Sequence, residues 1–137
     1  MNTVDLPRHL LRQVSKPARY VGGEWNSVHK SVPEVSAETV RPFVRFAFCF
    51  PDIYEIGMSN LALRILYDRL NRRDDIWCER VFYPATDMTD RMRELDLPLF
   101  ALESRSPISD FDLIGFTIQY EMCYTTVLDM LDLGNVP

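Results

Sequence analysis

The sequence predicts an α/β fold, a mainly parallel sheet flanked by helices, and three observations carry that prediction. Segments of strand length, rich in aromatic and β-branched residues, recur at Phe43–Phe50, Cys78–Tyr83 and Asp112–Ile118. Between and after them stand longer segments of helical periodicity, beginning near Ile56, Thr86 and Glu121. Strands separated by helices imply right-handed crossovers and parallel pairing, so a Rossmann-like, partial doubly wound sheet is expected. In such sheets a ligand sits outside the carboxyl ends of the strands. The Asp52-Ile-Tyr-Glu-Ile-Gly57 turn, which follows the first strand directly, therefore lies where function is expected.

The elements follow in order. Residues 1–42 carry Pro7, Pro17, Pro33 and Pro42 without a sustained period, which reads as an irregular N-terminal extension rather than a core. The α/β domain is expected at 43–137. Within the extension, Gly22-Gly23 forms a turn that Tyr20 and Trp25 are expected to pin to the domain by docking their rings. A ligand or interdomain contact is the other reading of residues 20–28.

The first helix is expected over Ile56–Asn71, with a polar stripe at Asn60, Arg64, Asp68 and Asn71 and apolar faces elsewhere, hence covered on most sides. Pro84 closes the second strand. Thr86 is expected to cap the next helix, with Asp87 and Asp90 near its positive end and Met88, Met92 and Leu95 on its buried face. Leu99–Leu102 reads as a short strand and 104–111 as a loop. Asp112–Ile118 is expected to be a buried strand, and Glu121–Leu133 a helix stopped by Gly134. A complete doubly wound sheet usually has about five or six strands. The α/β domain is thus expected to be truncated at its C-terminus, with open strand edges that favour self-association.

Composition excludes several classes. A chain of 137 residues with 47% hydrophobic and 26% charged residues fits one globular domain. No apolar run approaches the ~18 residues of a membrane span and no secretory leader is apparent, so a cytoplasmic location is the default expectation. A net charge of -5 argues against a broad nucleic-acid surface. Cys49, Cys78 and Cys123 stand too far apart for a self-contained zinc site and are expected to be core thiols. His9 and His29 lack ligand-spaced partners and are expected at the surface. No lysine follows Lys30, which removes a P-loop, and no Gly-x-Gly-x-x-Gly follows the first strand, which disfavours a nucleotide or flavin binder.

Asp52-Ile-Tyr-Glu-Ile-Gly57 resembles the Asp-x-His-x-x-Gly turn of cobalamin-binding domains, with Tyr54 in the histidine position. Gly115-Phe-Thr-Ile-Gln119 resembles the Ser-x-Leu region of that fold, with Thr117 and Gln119 at the two named positions. Four linked segments, Tyr20–Val28, Phe50–Ser59, Leu99–Ser104 and Phe111–Glu121, are together similar to the N-terminal region of a large bacterial radical SAM protein family. The resemblance implies a cobalamin-binding-like domain placed before a radical SAM domain of the same polypeptide. Its cofactor-binding positions would be Asp52, Tyr54, Gly57, Thr117 and Gln119. It implies that the [4Fe–4S] cluster and SAM belong to the C-terminal part, because the Cys-x-x-x-Cys-x-x-Cys spacing that holds the cluster is absent from this sequence.

No catalytic residue and no metal ligand is assigned here. A neutral phenol of pKa ~10 is a poor axial ligand, so any corrin would lack a protein nitrogen from position 54. Two readings stand: an accessory domain that binds cobalamin without a histidine, or a Rossmann-like scaffold with no cofactor. In the scaffold reading Asp52 serves only as a cap and Gly57 only as a point of close packing. Tyr120 and Glu121, at the end of the last strand, either line a polar pocket or begin the helix.

Overall fold

The computed structural model describes residues 2–33 and 43–137. Three strands, β1 (Val44–Phe50), β2 (Ile76–Phe82) and β3 (Leu113–Phe116), form one sheet in the order β2-β1-β3, with both pairings parallel. In register, Phe46 lies between Cys78 and Leu113, and Cys49 between Val81 and Phe116. All three strands end on one edge, which gathers the turns at 51–54, 83–85 and 117–122.

Alternation along β1 divides the core. Ala47 and Cys49 face one layer, packed with Val81, Met88, Met92, Met130 and Leu133. Phe48 and Phe50 face the other, with Leu63, Tyr67 and Cys78. The first layer is built by α4 (Thr86–Glu94) and α5 (Cys123–Leu133), and the second by α3 (Leu61–Asn71). Helices on both faces of a parallel sheet are what a doubly wound architecture requires. Among the described residues no helix is long and apolar enough to cross a membrane.

The N-terminal segment is irregular, with a short helix α1 (Arg8–Leu11) and one 3-10 turn at Pro17–Tyr20. It is not peripheral, however, as its proline-rich sequence suggested. Val4, Leu6, Leu10, Val14 and Tyr20 are buried in the first core layer, and the Val4 amide donates to the Arg105 carbonyl. Tyr20 docks as expected, whereas Trp25 is fully exposed.

Several elements depart from expectation. The helix expected at 56–71 is two, α2 (Tyr54–Ser59) and α3, because Asn60 adopts extended backbone and its side chain caps α3 by accepting from the Leu63 amide at 2.9 Å. The second of these is not covered on most sides. Leu61, Ile65 and Leu66 are exposed, and only Leu63 and Tyr67 are buried. Ala85 rather than Thr86 occupies the N-cap of α4, with no side-chain cap bond. Met88 and Met92 are buried, but Leu95 lies past the last turn and is exposed.

No strand forms at Leu99–Leu102. Phe100 makes a single antiparallel bridge to Pro107, and the loop between them folds onto the outer edge of β2. The last strand is shorter than expected and lies at an edge, with Leu113 56% exposed. Gly134 ends α5 with φ of -84°, and the left-handed residue is Asn135 (φ 54°). The Asn135 and Val136 amides return to the Asp132 and Leu131 carbonyls, a Schellman closure. Glycine is needed at 134 because a Cβ there would stand 2.2 Å from Ile108 Cδ1.

Candidate functional site

The turn after β1 is held by backbone first. The Asp52 carbonyl accepts from the Tyr83 amide at 3.0 Å, tying the ends of β1 and β2 together. Asp52 Oδ1 accepts from the adjacent Ile53 amide at 2.7 Å. The carboxylate therefore caps the turn, while Ile53 stands at the N-cap of α2 without a side-chain bond.

Tyr54 opens α2. Its ring meets Phe82 edge-on, with centroids 5.5 Å apart, and its hydroxyl donates to Glu24 Oε1 at 3.0 Å. Burial first, and then the neighbouring Glu24 carboxylate, push the phenol up to about 12, so it stays neutral. Gly57, one turn further, has no open face. A Cβ there would lie 2.2 Å from the Phe82 ring.

Glu24 belongs to a strap, residues 15–28, that crosses this end of the sheet. Gly22 and Gly23, both at positive φ, turn the strap, and a Cβ on Gly22 would lie 2.5 Å from the Leu102 carbonyl oxygen. Arg80 anchors it. The guanidinium lies over the Tyr67 ring at 4.4 Å, pairs with Glu103 at 2.7 Å, and donates to Asn26 and Ser27 of the strap. Arg80 and Glu103 side chains are 3% and 0% exposed. Burial raises the Glu103 pKa against the pull of Arg80.

Further links fix the strap's start. Glu55 accepts from Arg19 at 3.0 Å and Lys16 at 3.2 Å, and the Arg19 bond is the main cause holding its carboxyl at about 2. The Tyr20 hydroxyl accepts from the Ala85 amide, and Asp87 accepts from the Ser15 amide. Beneath the strap, among Arg19, Tyr20, Tyr54, Arg80 and Phe82, is a cavity of about 20 Å³, room for a single water.

Thr117 and Gln119 follow β3 on the same edge. The Thr117 amide donates to the Cys49 carbonyl at 3.2 Å, while its Oγ1 is buried with no hydrogen-bond partner among the described residues. Gln119 is exposed, as are Ile118, Tyr120, Glu121 and Met122. Tyr120 and Glu121 belong to the turn before α5, where their carbonyls accept from Cys123 and Tyr124.

The fold therefore brings Asp52, Tyr54 and Gly57 together at the end of β1 and places Thr117 and Gln119 at the end of β3. Glu24, Arg80 and Glu103 escaped sequence reasoning. Their signal was an arginine inside the Cys78–Tyr83 strand, since a charge there needs a buried partner. His9 and His29 are exposed, and the three cysteines are buried and free, burial pushing the Cys49 and Cys78 thiols up.

A family model described as radical SAM proteins, N-terminal, matches residues 62–137. The match runs from the first turn of α3 through β2, β3 and α5, and leaves the Asp52–Gly57 turn and the strap outside it. No curated protein and no solved structure matches the chain.

Proposed function

The chain belongs to the family of radical SAM protein N-terminal regions, and from that membership we propose that it is an accessory domain that packs against and positions the radical SAM domain of the same polypeptide. The carrying observation is that the motif residues Asp52, Tyr54 and Gly57 are each engaged within the chain. Tyr54 donates to Glu24, Asp52 caps the turn, and the face of Gly57 is filled by Phe82. On the same edge the β3–α5 turn offers Ile118, Tyr120 and Met122 to the outside, a set suited to a dry contact with another domain. SAM cleavage belongs to the partner domain, with its [4Fe–4S] cluster, because this chain lacks the cysteine triad.

A second reading rests on Thr117. Its buried Oγ1, with no partner among the described residues, is an acceptor and donor left unused at the strand-end edge, and a bound cofactor would satisfy it. The group would be cobalamin, which supplies radical chemistry when bound, with Asp52, Thr117 and Gln119 as its contacts, whereas the face of Gly57 is closed by Phe82. Tyr54 does not fit a cobalt ligand, since its phenol is neutral and already donated. The experiment is equilibrium dialysis of the full-length polypeptide against cob(II)alamin, paired with hydrogen exchange at residues 117–122. Slow exchange at the turn without cobalamin uptake supports the positioning role. Uptake that is weakened in a Thr117→Val variant supports the second reading, and fast exchange at the turn in the full-length polypeptide sinks the first.

A further inference from the structure

We propose that the polypeptide following this chain completes the sheet on one side alone, adding a parallel strand to the outer edge of β3 and a helix over the apolar groove beside it. The inference rests on the reading of the chain as the N-terminal domain of a longer radical SAM polypeptide.

The two edges of the sheet are built differently. The outer edge of β2 is sealed by the 101–104 loop. Leu102 donates its amide to the Arg80 carbonyl at 2.8 Å, and the Arg80 amide donates to Glu103 at 2.8 Å. Ser104 donates its amide to Glu79 at 3.0 Å, and Glu79 is itself paired with Arg45 at 2.6 Å. With both Arg80 backbone groups engaged and two buried ion pairs behind them, no strand adds there.

The outer edge of β3 has no neighbour among the described residues. Its sequence, Leu113-Ile-Gly-Phe116, holds neither a charge nor a proline. Free edges in natural proteins are blunted by such residues, by a covering loop or by shortness, and this four-residue edge carries no charge, proline or covering loop among the described residues, so its backbone is open to pairing.

The two faces differ likewise. One carries α4, α5 and the N-terminal segment, and the other, among the described residues, carries α3 with Gly57 of α2 and Val28 of the strap packed at one end of it. Beside α3 a groove of about 280 Å³ is lined by Val44, Phe46, Phe48, Leu66, Leu70 and Leu113 with Ile76, every one apolar. Gly115 shapes its floor, since the Phe46 ring lies where a Cβ would be, at 2.6 Å. Parallel sheets are covered by helices on both faces, and an all-apolar groove beside α3 is the place for the apolar side chains of a further amphipathic helix.

Connectivity selects the occupant. β3 followed by α5 is the first half of a βαβ unit, and a parallel partner for β3 is reached through such a crossover helix on the same chain. A second copy of the chain would present its own β3 in an antiparallel, two-fold arrangement and supplies no helix for the groove.

The test is hydrogen exchange on the 137-residue chain and the full-length polypeptide, each over a range of concentration. In the full-length polypeptide the amides of Leu113–Phe116, and those of α3 around Leu66 and Leu70, should exchange ~100-fold more slowly than in the shorter chain, and Leu113→Asp should abolish that slowing at β3. Equal exchange at β3 in both overturns the proposal. So does slowing that appears in the shorter chain as concentration rises, which assigns the edge to a second copy. Slowing confined to 117–122 overturns the strand pairing yet leaves the accessory role standing, whereas no slowing at either place overturns both.

Discussion

The Tyr54 hydroxyl donates to Glu24 Oε1 at 3.0 Å, so the residue at the motif's histidine position belongs to the network that fastens the strap to the sheet. Glu24 also lies 3.6 Å from the buried Arg80 guanidinium, which carries that network into the core. Tyr54→Phe keeps the ring against Phe82 and removes only the hydroxyl. Stability should fall by about 1 kcal/mol in urea unfolding, and cleavage near Gly22–Gly23 by a nonspecific protease should quicken. Unchanged stability and cleavage would separate Tyr54 from the strap.

Arg80 and Glu103 form the deepest ion pair in the chain's strap network. Removing one partner leaves the other buried and uncompensated, so Arg80→Met or Glu103→Leu should cost about 3–5 kcal/mol. That is a large share of the ~5–15 kcal/mol typical of a domain. The double variant should be more stable than either single one, because apolar groups replace both charges. Urea midpoints of the four proteins decide it. Additive losses would mean the two side chains act independently.

Gly57 sits inside α2, where alanine is ordinarily better by about 1 kcal/mol. Here the Phe82 ring stands 2.2 Å from the would-be Cβ, and overpacking outweighs propensity. Gly57→Ala should destabilise by about 1–3 kcal/mol, and Phe82→Leu in the same chain should recover part of that loss. Failure of the second change to help would place the constraint elsewhere than the ring.

The parallel sheet was legible because β1, β2 and β3 each announce themselves by composition and are separated by helical periods. Site geometry was less so. Asn60 occupies a helical stripe position in sequence, but an asparagine amide satisfies the start of a helix better than its middle, and the helix divides there. The exposure of Leu61, Ile65 and Leu66 could not be read at all, since an apolar helix face looks the same whether its own chain or another domain covers it. Glu24 and Arg80 lie far apart in sequence, and only the folded chain shows that the Gly-Gly turn and the Asp52–Gly57 turn share one network.

Glu55 gives the strap a pH dependence. Its folded pKa is depressed from 4.5 to about 2, chiefly by Arg19, so its contribution is present above 4.5 and is lost as pH falls through about 2. Thermal unfolding of the native protein and of Glu55→Gln should therefore differ at neutral pH and converge as pH falls across that window. A difference that persists at the acid end would assign the effect to packing rather than charge.

Thr117 separates the two readings of function. Its Oγ1 is buried with no partner among the described residues, so Thr117→Val removes no hydrogen bond seen there and sheds the cost of a desolvated hydroxyl. The variant should gain about 1 kcal/mol in urea unfolding of the 137-residue chain. If the hydroxyl serves cobalamin, the same change in the full-length polypeptide should weaken cob(II)alamin binding by about 5–10-fold, the equivalent of one lost hydrogen bond. Bound cob(II)alamin should then show no coupling to a protein nitrogen in its EPR spectrum, because Tyr54 supplies none. Nitrogen coupling that changes when the protein is labelled with 15N would assign the ligand to the chain and move the cobalt away from the Asp52–Gly57 turn. Greater stability with no cobalamin uptake, before or after the substitution, would leave Thr117 a packing compromise and the domain a scaffold.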